Sequence, residues 1–484
     1  MSTCTIRAQS RACIVSRGSA IASLLLALPV FAGEVHLDGL ASAPTHQRFI
    51  VTYREGGNAT SSAAALNRSL AAAAAATPPK RGTRPALTPI RRLAVGPELV
   101  SADRPLDRAE AESLMRSLAA DPEVLSVEVD RLMRPLLTPN DPRLPEQWAF
   151  GTSNSAINVR PAWDQTTGSG VVVAVVDTGI TRHPDLNANL LPGYDFVSST
   201  FISRDNDGRD PNPNDEGDWN AVANECYPGS RVGNSSWHGT HVTGTIAALG
   251  NNAIGVAGTA FNARVLPVRA MGRCGGFTSD ISDAMVWAAG GAVAGVPANP
   301  HPAEVINLSL GSAGTCSQTE QRSVDAAVAR GATVVAAAGN GATDMSGTSP
   351  ANCANVVAVA ATTQAGARAG FSNFGEGIDV SAPGEFILST LNTGTTTPGA
   401  PRYTSSSGTS MAAPHVAGVV ALMQSVAPSA LTPAQVEAVL KRTARALPGA
   451  CTGGCGAGII DANAAVTAAR QAQPGVRVAE MAVD

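Results

Sequence analysis

Four polar residues in this chain stand where a side chain could do covalent chemistry. Ser410 lies in TSSSGTSMAAPHVAG, residues 404–418, just ahead of a nearly all-apolar run. Such a run reads as a buried helix, and Gly408 permits a tight turn into it. Pro414 is expected in that helix's first turn, which puts the helix start close to Ser410. A hydroxyl there sits among free N–H groups at the positive end of the dipole, where developing negative charge is favoured. It becomes a nucleophile if a base takes its proton. His415 is near in sequence, but on a buried helix its ring points away from Ser410, so it reads as a core residue. His238, in SSWHGTHVTGTIAAL, is the candidate base. His241 reads as a packed structural residue, because this pair lacks the i, i+4 spacing and the intervening Glu of a zinc helix. Asp177 ends the apolar run GVVVAVVDTGI, and a carboxylate there is costly unless something pairs with it. A turn or cap role is its alternative. Asn340 ends ATVVAAAGN; its amide could donate to an oxyanion or simply make a turn before Gly341. In the order Asp177, His238, Ser410, these residues make an orienter, a base and a nucleophile.

The elements that must position them follow from the hydrophobic pattern. GVVVAVVDTGI, ARVLPVRAM, AEVINLSLGS, ATVVAAAGN and NVVAVAAT are apolar without alternation, as strands buried on both faces are. Between them lie helical stretches such as HGTHVTGTIAALG, DISDAMVWAAGGAVA and QRSVDAAVARG. Strands alternating with helices predict an α/β three-layer sandwich with a mainly parallel central sheet. Functional residues then collect at the carboxyl ends of strands, where Asp177, Ser309 and Asn340 stand.

At 484 residues the chain is too long for one core. Residues 1–32 read as a signal peptide: Arg7, Arg11 and Arg17 precede the apolar IASLLLALPVFAG, which is too short to span a bilayer. Residues 33–139 read as a separate small unit, in which QRFIVTY is a strand and LDRAEAESLMRSLAADPEVLSVEVD is a helix, a turn and a strand. An Ala-rich stretch and TPPKRGTRPALTP read as a linker-like insert in it. The Pro-rich RPLLTPNDPRLPEQ reads as an exposed boundary and a processing site. Residues 140–470 form the main unit and 471–484 a short tail. Up to residue 139 there are 16 Arg and Lys against 12 Asp and Glu, and beyond it 18 against 26. The larger part therefore has no basic footprint for nucleic acid. After removal of the signal with Cys4 and Cys13, six cysteines remain, which in an exported chain favours disulfides over metal ligation. Six allow 15 connectivities; only Cys451 and Cys455 are close enough to pair locally.

VVAVVDTGI, HGTHVTGTIAA, AAAGN and GTSMAAPHVAG, in this order and spacing, resemble the subtilisin-like serine proteases, over residues 140–470. The resemblance implies a secreted endopeptidase cleaving protein and peptide substrates, without a membrane anchor and monomeric. Ser410 would attack the scissile carbonyl, His238 shuttle the proton, and Asp177 orient the imidazole. Asn340 and the Ser410 N–H would bind the oxyanion, and Ser309, Leu310 and Gly311 would pair with the substrate backbone. Residues 33–139 would be a ferredoxin-like α+β propeptide, an intramolecular inhibitor and chaperone removed by self-cleavage. No cofactor is implied for catalysis, but structural calcium is, at Asp185 and in DNDGRDPNPNDEGD, which carries Asp205, Asp207, Asp210, Asp215 and Asp218. The disulfides expected are Cys226–Cys274, Cys316–Cys353 and Cys451–Cys455. Asp344 is expected to favour a basic residue before the cut. An inactive peptide-binding homologue is the weaker alternative, since all three reacting residues are present. An α/β-hydrolase is excluded, because the chain lacks the GxSxG elbow and the order Ser, Asp, His.

Overall fold

The computed structural model describes residues 33–41, 43, 45–80, 82–133 and 137–472. The expected signal segment and the tail from 473 onward lie outside the described residues. The chain divides into two compact units, residues 1–133 and 134–484, six residues ahead of the boundary expected from composition.

In the first unit, five strands, β1 (Glu34–His36), β2 (Thr45–Tyr53), β3 (Leu87–Arg92), β4 (Glu98–Asp107) and β5 (Val124–Val129), form one sheet in the order β1-β5-β2-β4-β3. The helix Arg108–Ala119 is closed at its start by a capping box between Asp107 and Glu110. The expected linker is instead structured: Ala63–Ala76 is a helix that buries Leu66, Leu70, Ala73 and Ala74. Alanine is the strongest helix former, and Leu66 and Leu70 give this stretch a face to bury. Pro89 is accommodated because β3 is an edge strand.

The second unit is built on a seven-stranded sheet of order β14-β13-β11-β9-β6-β8-β7, parallel throughout. Its strands are β6 (Val172–Asp177), β7 (Tyr194–Asp195), β8 (Arg264–Arg269), β9 (Val305–Leu308), β11 (Thr333–Ala337), β13 (Val356–Thr362) and β14 (Val380–Pro383). Two short pairs, β10 (Ser312–Ala313) with β12 (Thr348–Ser349) and β15 (Ile387–Asn392) with β16 (Pro401–Ser406), stand apart. Along β6, Val173 and Val175 enter one core while Ala174 and Val176 enter another. β11 and β13 divide in the same way. Both faces are covered, so the strands need no polar alternation. The helices His238–Ala247 and Thr409–Val426 lie on the Val173 face, and Thr278–Ala288 and Gln318–Val328 lie on the other. Asp177 follows Val173 and Val175 at intervals of two, so it faces the layer that carries His238 and Ser410. Among the described residues no helix is long and apolar enough to cross a membrane.

Candidate active site

Asp177, the last residue of β6, is fully buried. Its Oδ1 accepts the Thr178 amide at 2.7 Å and faces His238 Nδ1 at 2.8 Å, with Oδ2 at 3.0 Å from the same nitrogen. His238 is the first residue of its helix. Trp237, at φ 52°, turns the chain sharply into that helix, and its buried indole donates to the Gly394 carbonyl at 2.7 Å. A Cβ on Gly239 would lie 2.2 Å from the Gly179 carbonyl oxygen, so glycine alone lets the helix begin against the strand end. Burial pulls the His238 pKa down. The Asp177 charge and hydrogen bond, helped by Asp218 and Asp215, outweigh it and hold the imidazole above its ordinary value.

Ser410 is the second residue of the helix Thr409–Val426, and its hydroxyl donates to the Ser309 carbonyl at 3.1 Å. Pro414 is not in the first turn but the sixth residue of the helix. It cannot donate to the carbonyl four residues back, that of Ser410. The buried Ser309 hydroxyl takes that place, donating to the Ser410 carbonyl at 2.8 Å. Ser309 and Ser410 thus hold each other reciprocally. Asn340 is fixed by a residue the sequence reading passed over: its Oδ1 accepts the Thr409 amide at 2.8 Å and the Thr409 hydroxyl at 3.0 Å. With the oxygen so committed, the amide NH2 is turned to the other side, as a donor. The Thr409 hydroxyl also accepts the Gly339 amide at 3.1 Å, tying the end of β11 to the helix start. Gly339, at φ +104°, has no room for a side chain, because a Cβ would lie 2.5 Å from Asn373 Nδ2.

His238, Ser410, Asn340, Ser309, Leu310 and Gly311 line one cleft of about 760 Å³. Asp177 lies behind His238, outside the lining. The cleft also takes in Thr178, Asp218, Cys226, Cys274, Gly347 and Thr348. Asp344 is not in its lining; its carboxylate caps the turn Met345–Gly347 by accepting the Ser346 amide at 2.9 Å. His241 and His415 are buried, and desolvation pushes both down to about 4. His241 Nε2 lies 3.0 Å from the Ile387 carbonyl oxygen, and His415 Nδ1 lies 2.9 Å from that of Met411. Three disulfides form, Cys226–Cys274, Cys316–Cys353 and Cys451–Cys455.

The acidic loop does not gather around one ion. Asp205 pairs with Arg269 at 2.6 Å, and exposed Asp207 is raised by slight desolvation and by the like charges of neighbouring Asp210 and Asp205. Asp215 and Asp218 serve the site instead. Buried Asp215, raised by desolvation to about 7, accepts the Thr178 hydroxyl at 2.6 Å. That hydroxyl in turn accepts the Gly239 amide at 3.1 Å, so its proton and its lone pair are both assigned. Asp218 accepts the Ser236 amide and hydroxyl at 2.6 Å each. The partners of Thr178, Asp215 and Ser236 lie 18 to 61 residues away, so the motifs around them do not show these roles. Among the described residues, no group of three His, Cys, Asp or Glu side chains is placed to hold a metal. At Asp185 the carboxylate already has donors: Oδ2 accepts the Val256 amide at 3.0 Å and the Tyr403 hydroxyl at 3.2 Å. This buried carboxylate is raised by desolvation, and the charge acting on it is that of buried Asp141, of the same sign. Asn252 Nδ2 lies 2.7 Å from Asp185 Oδ1.

Sheet, cleft and Asp–His pair define a class, the subtilisin-like serine proteases, whose substrates are proteins. The profile of the subtilase family matches residues 168–458, and the chain belongs to that family. It is 66% identical over 469 residues to an extracellular protease of Xanthomonas campestris pv. campestris, covering 97% of this chain and 81% of that one. It is 49% identical over 388 residues to an extracellular basic protease of Dichelobacter nodosus, covering 78% of this chain and 64% of that relative. A solved protease structure from Pseudoalteromonas arctica superposes with a TM-score of 0.67 at 51% identity, over 69% of this chain and all of that one.

Proposed function

We propose that the chain is a secreted, monomeric endopeptidase made as a self-processing precursor, in which Ser410 is the nucleophile. The observation that carries this reading is His238 Nδ1 on buried Asp177 at 2.8 Å, with His238, Ser410 and Asn340 on one cleft. Asp177 holds the Nδ1–H tautomer, which leaves Nε2 basic. The Ser410 hydroxyl swings from the Ser309 carbonyl toward Nε2, gives up its proton, and attacks the scissile carbonyl. The tetrahedral oxyanion is held by the Ser410 N–H at the helix start and the Asn340 amide. His238 then protonates the leaving amine, and water releases the acyl group by the reverse path. Ser309, Leu310 and Gly311 would add the substrate as an extra strand. Residues 33–139, the unit read from the sequence, would supply the inhibitory propeptide. The extracellular setting is supported by the names of both relatives and by six cysteines all paired.

The deciding experiment is Ser410→Ala. The variant should fold as an uncleaved precursor and hydrolyse no casein. Purified Ser410→Ala chain that matures unaided and cleaves casein would overturn the assignment. We further propose a structural calcium held by the carboxylate oxygens of Asp185 and Asp141, with the Asn252 NH2 giving way to it. Chelation should lower the melting temperature of the wild type and leave Asp185→Asn unmoved; equal shifts in both would refute it.

A further inference from the structure

We propose that maturation cuts the peptide bond immediately before Leu137, and that the ammonium so created pairs with Asp164, fixing the new N-terminus to the mature unit. This rests on the self-processing reading above. Leu137 is half-buried and packs against the main core. Its backbone nitrogen lies 2.5 Å from Asp164 Oδ1. Asp164 follows the helical turn Arg160–Trp163, whose Ala162 and Trp163 are buried in that same core, so the carboxylate stands on fixed backbone. Among the described residues no cationic side chain is paired with it.

From Leu137 onward the chain is held. Asn140 Oδ1 accepts the Ala253 amide at 2.8 Å, Asp141 Oδ2 accepts the Asn251 amide at 2.7 Å, and the Arg143 amide donates to the Gly255 carbonyl at 2.9 Å. Upstream, Leu132 and Met133 are 80% and 79% exposed, and the first compact unit ends at residue 133. The described chain is thus exposed at residue 133 and held from residue 137. A cut nearer residue 133 would leave the Leu137 nitrogen a neutral amide. A cut after Leu137 would discard its packing. Only the bond before Leu137 places a new charge on the waiting carboxylate.

The step balances as an ordinary hydrolysis. The C–N bond breaks, the preceding carbonyl carbon passes to Ser410, and His238 gives its proton to the Leu137 nitrogen. One water then hydrolyses the acyl-enzyme. The amine, of ordinary pKa about 7.7–8.0, binds one further proton at neutral pH. A neutral N–H on a carboxylate becomes an ammonium on a carboxylate, so a hydrogen bond already charge-assisted at its acceptor gains a full opposite charge at its donor.

N-terminal sequencing of the mature enzyme tests the cut: the expected start is Leu-Thr-Pro-Asn, and any other start overturns the proposal. The ion pair is tested by melting mature wild type and Asp164→Asn, both inactivated at Ser410 with a sulfonyl fluoride. Pairing raises the amine pKa, so its stabilisation is present below about pH 8 and is lost as pH climbs past the raised value. The wild type should melt about 2–4 °C higher at pH 7, and the gap should close by about pH 10–11. In the uncleaved Ser410→Ala precursor, the same Asp164→Asn change should show no such pH dependence. A gap constant with pH, or equally pH-dependent in the precursor, refutes the pair. A second readout needs no Asp164 variant: the α-amino pKa of mature wild type, followed by its acylation rate, should lie above 8.0; an ordinary value refutes the pair. If Ser410→Ala precursor matures unaided, self-processing falls, whereas the Leu137 start stands or falls on the sequenced N-terminus alone.

Discussion

Replacing Ser309 with alanine should loosen the nucleophile's helix in a way that a second substitution repairs. The Ser410 carbonyl lacks the amide four residues on, because Pro414 stands there, and the buried Ser309 hydroxyl fills the gap at 2.8 Å. Removing that hydroxyl leaves the acceptor unsatisfied, at a cost of about 1–3 kcal/mol, and frees Ser410 to drift. Pro414→Ala restores a backbone N–H aimed at the same carbonyl. In that background Ser309→Ala should cost less by roughly 1 kcal/mol, the net worth of one hydrogen bond. The Asn307 amide, which donates to the Ser309 hydroxyl at 2.9 Å, loses its partner in both backgrounds, so the cycle cancels it. The assay is the melting of the four combinations in Ser410→Ala chains, where about 1 kcal/mol corresponds to a shift of roughly 2 °C. kcat/KM of the active counterparts should follow the same pattern. Additivity of the two changes within about 0.5 kcal/mol would refute the idea that Ser309 replaces the bond Pro414 cannot make.

Activity should rise with pH through a single group titrating above 6.5, because His238 must be neutral to act and Asp177 holds its pKa up. Asp218→Asn should move that limb of the kcat/KM profile to lower pH; an unmoved limb would remove Asp218 from the field at the base. Asn340→Ala should lower kcat by about 10²–10³-fold, the scale established for such a donor in subtilisin, with KM little changed in initial-rate assays. Thr409→Val should lower kcat by a smaller factor, since it removes the hydroxyl contact to Asn340 Oδ1 at 3.0 Å and keeps the backbone amide contact at 2.8 Å. Of the disulfides, opening Cys226–Cys274, which spans 48 residues, should destabilise by about 4 kcal/mol. Opening Cys451–Cys455, which spans 4, should cost about 2 kcal/mol. Equal melting shifts for the two double alanine variants would contradict this.

The residue order around Asp177, His238, Asn340 and Ser410, and the unbroken apolar strands between them, were readable directly. A strand buried on both faces must be apolar throughout, and a helix start beside a small-residue run has a local signature. The Ala-rich stretch misled because its composition resembles a linker, while Leu66 and Leu70 supply the buried face that makes it a helix. Pro414 misled because the rule that bars proline from helices assumes no outside donor, and Ser309, 101 residues away, is one. Asp205 to Asp218 looked like a single ion site, but Arg269, Thr178 and Ser236 divide the carboxylates between them. Sequence by itself determined which side chains could react and what sheet would carry them, because periodicity and residue chemistry are local properties. Only the tertiary structure decided that Thr409 aims Asn340, that Asp215 sets the Thr178 hydroxyl, and that Asp164 waits beside Leu137. Those roles arise from hydrogen-bond partners brought within 3 Å by packing, across separations that no local pattern records.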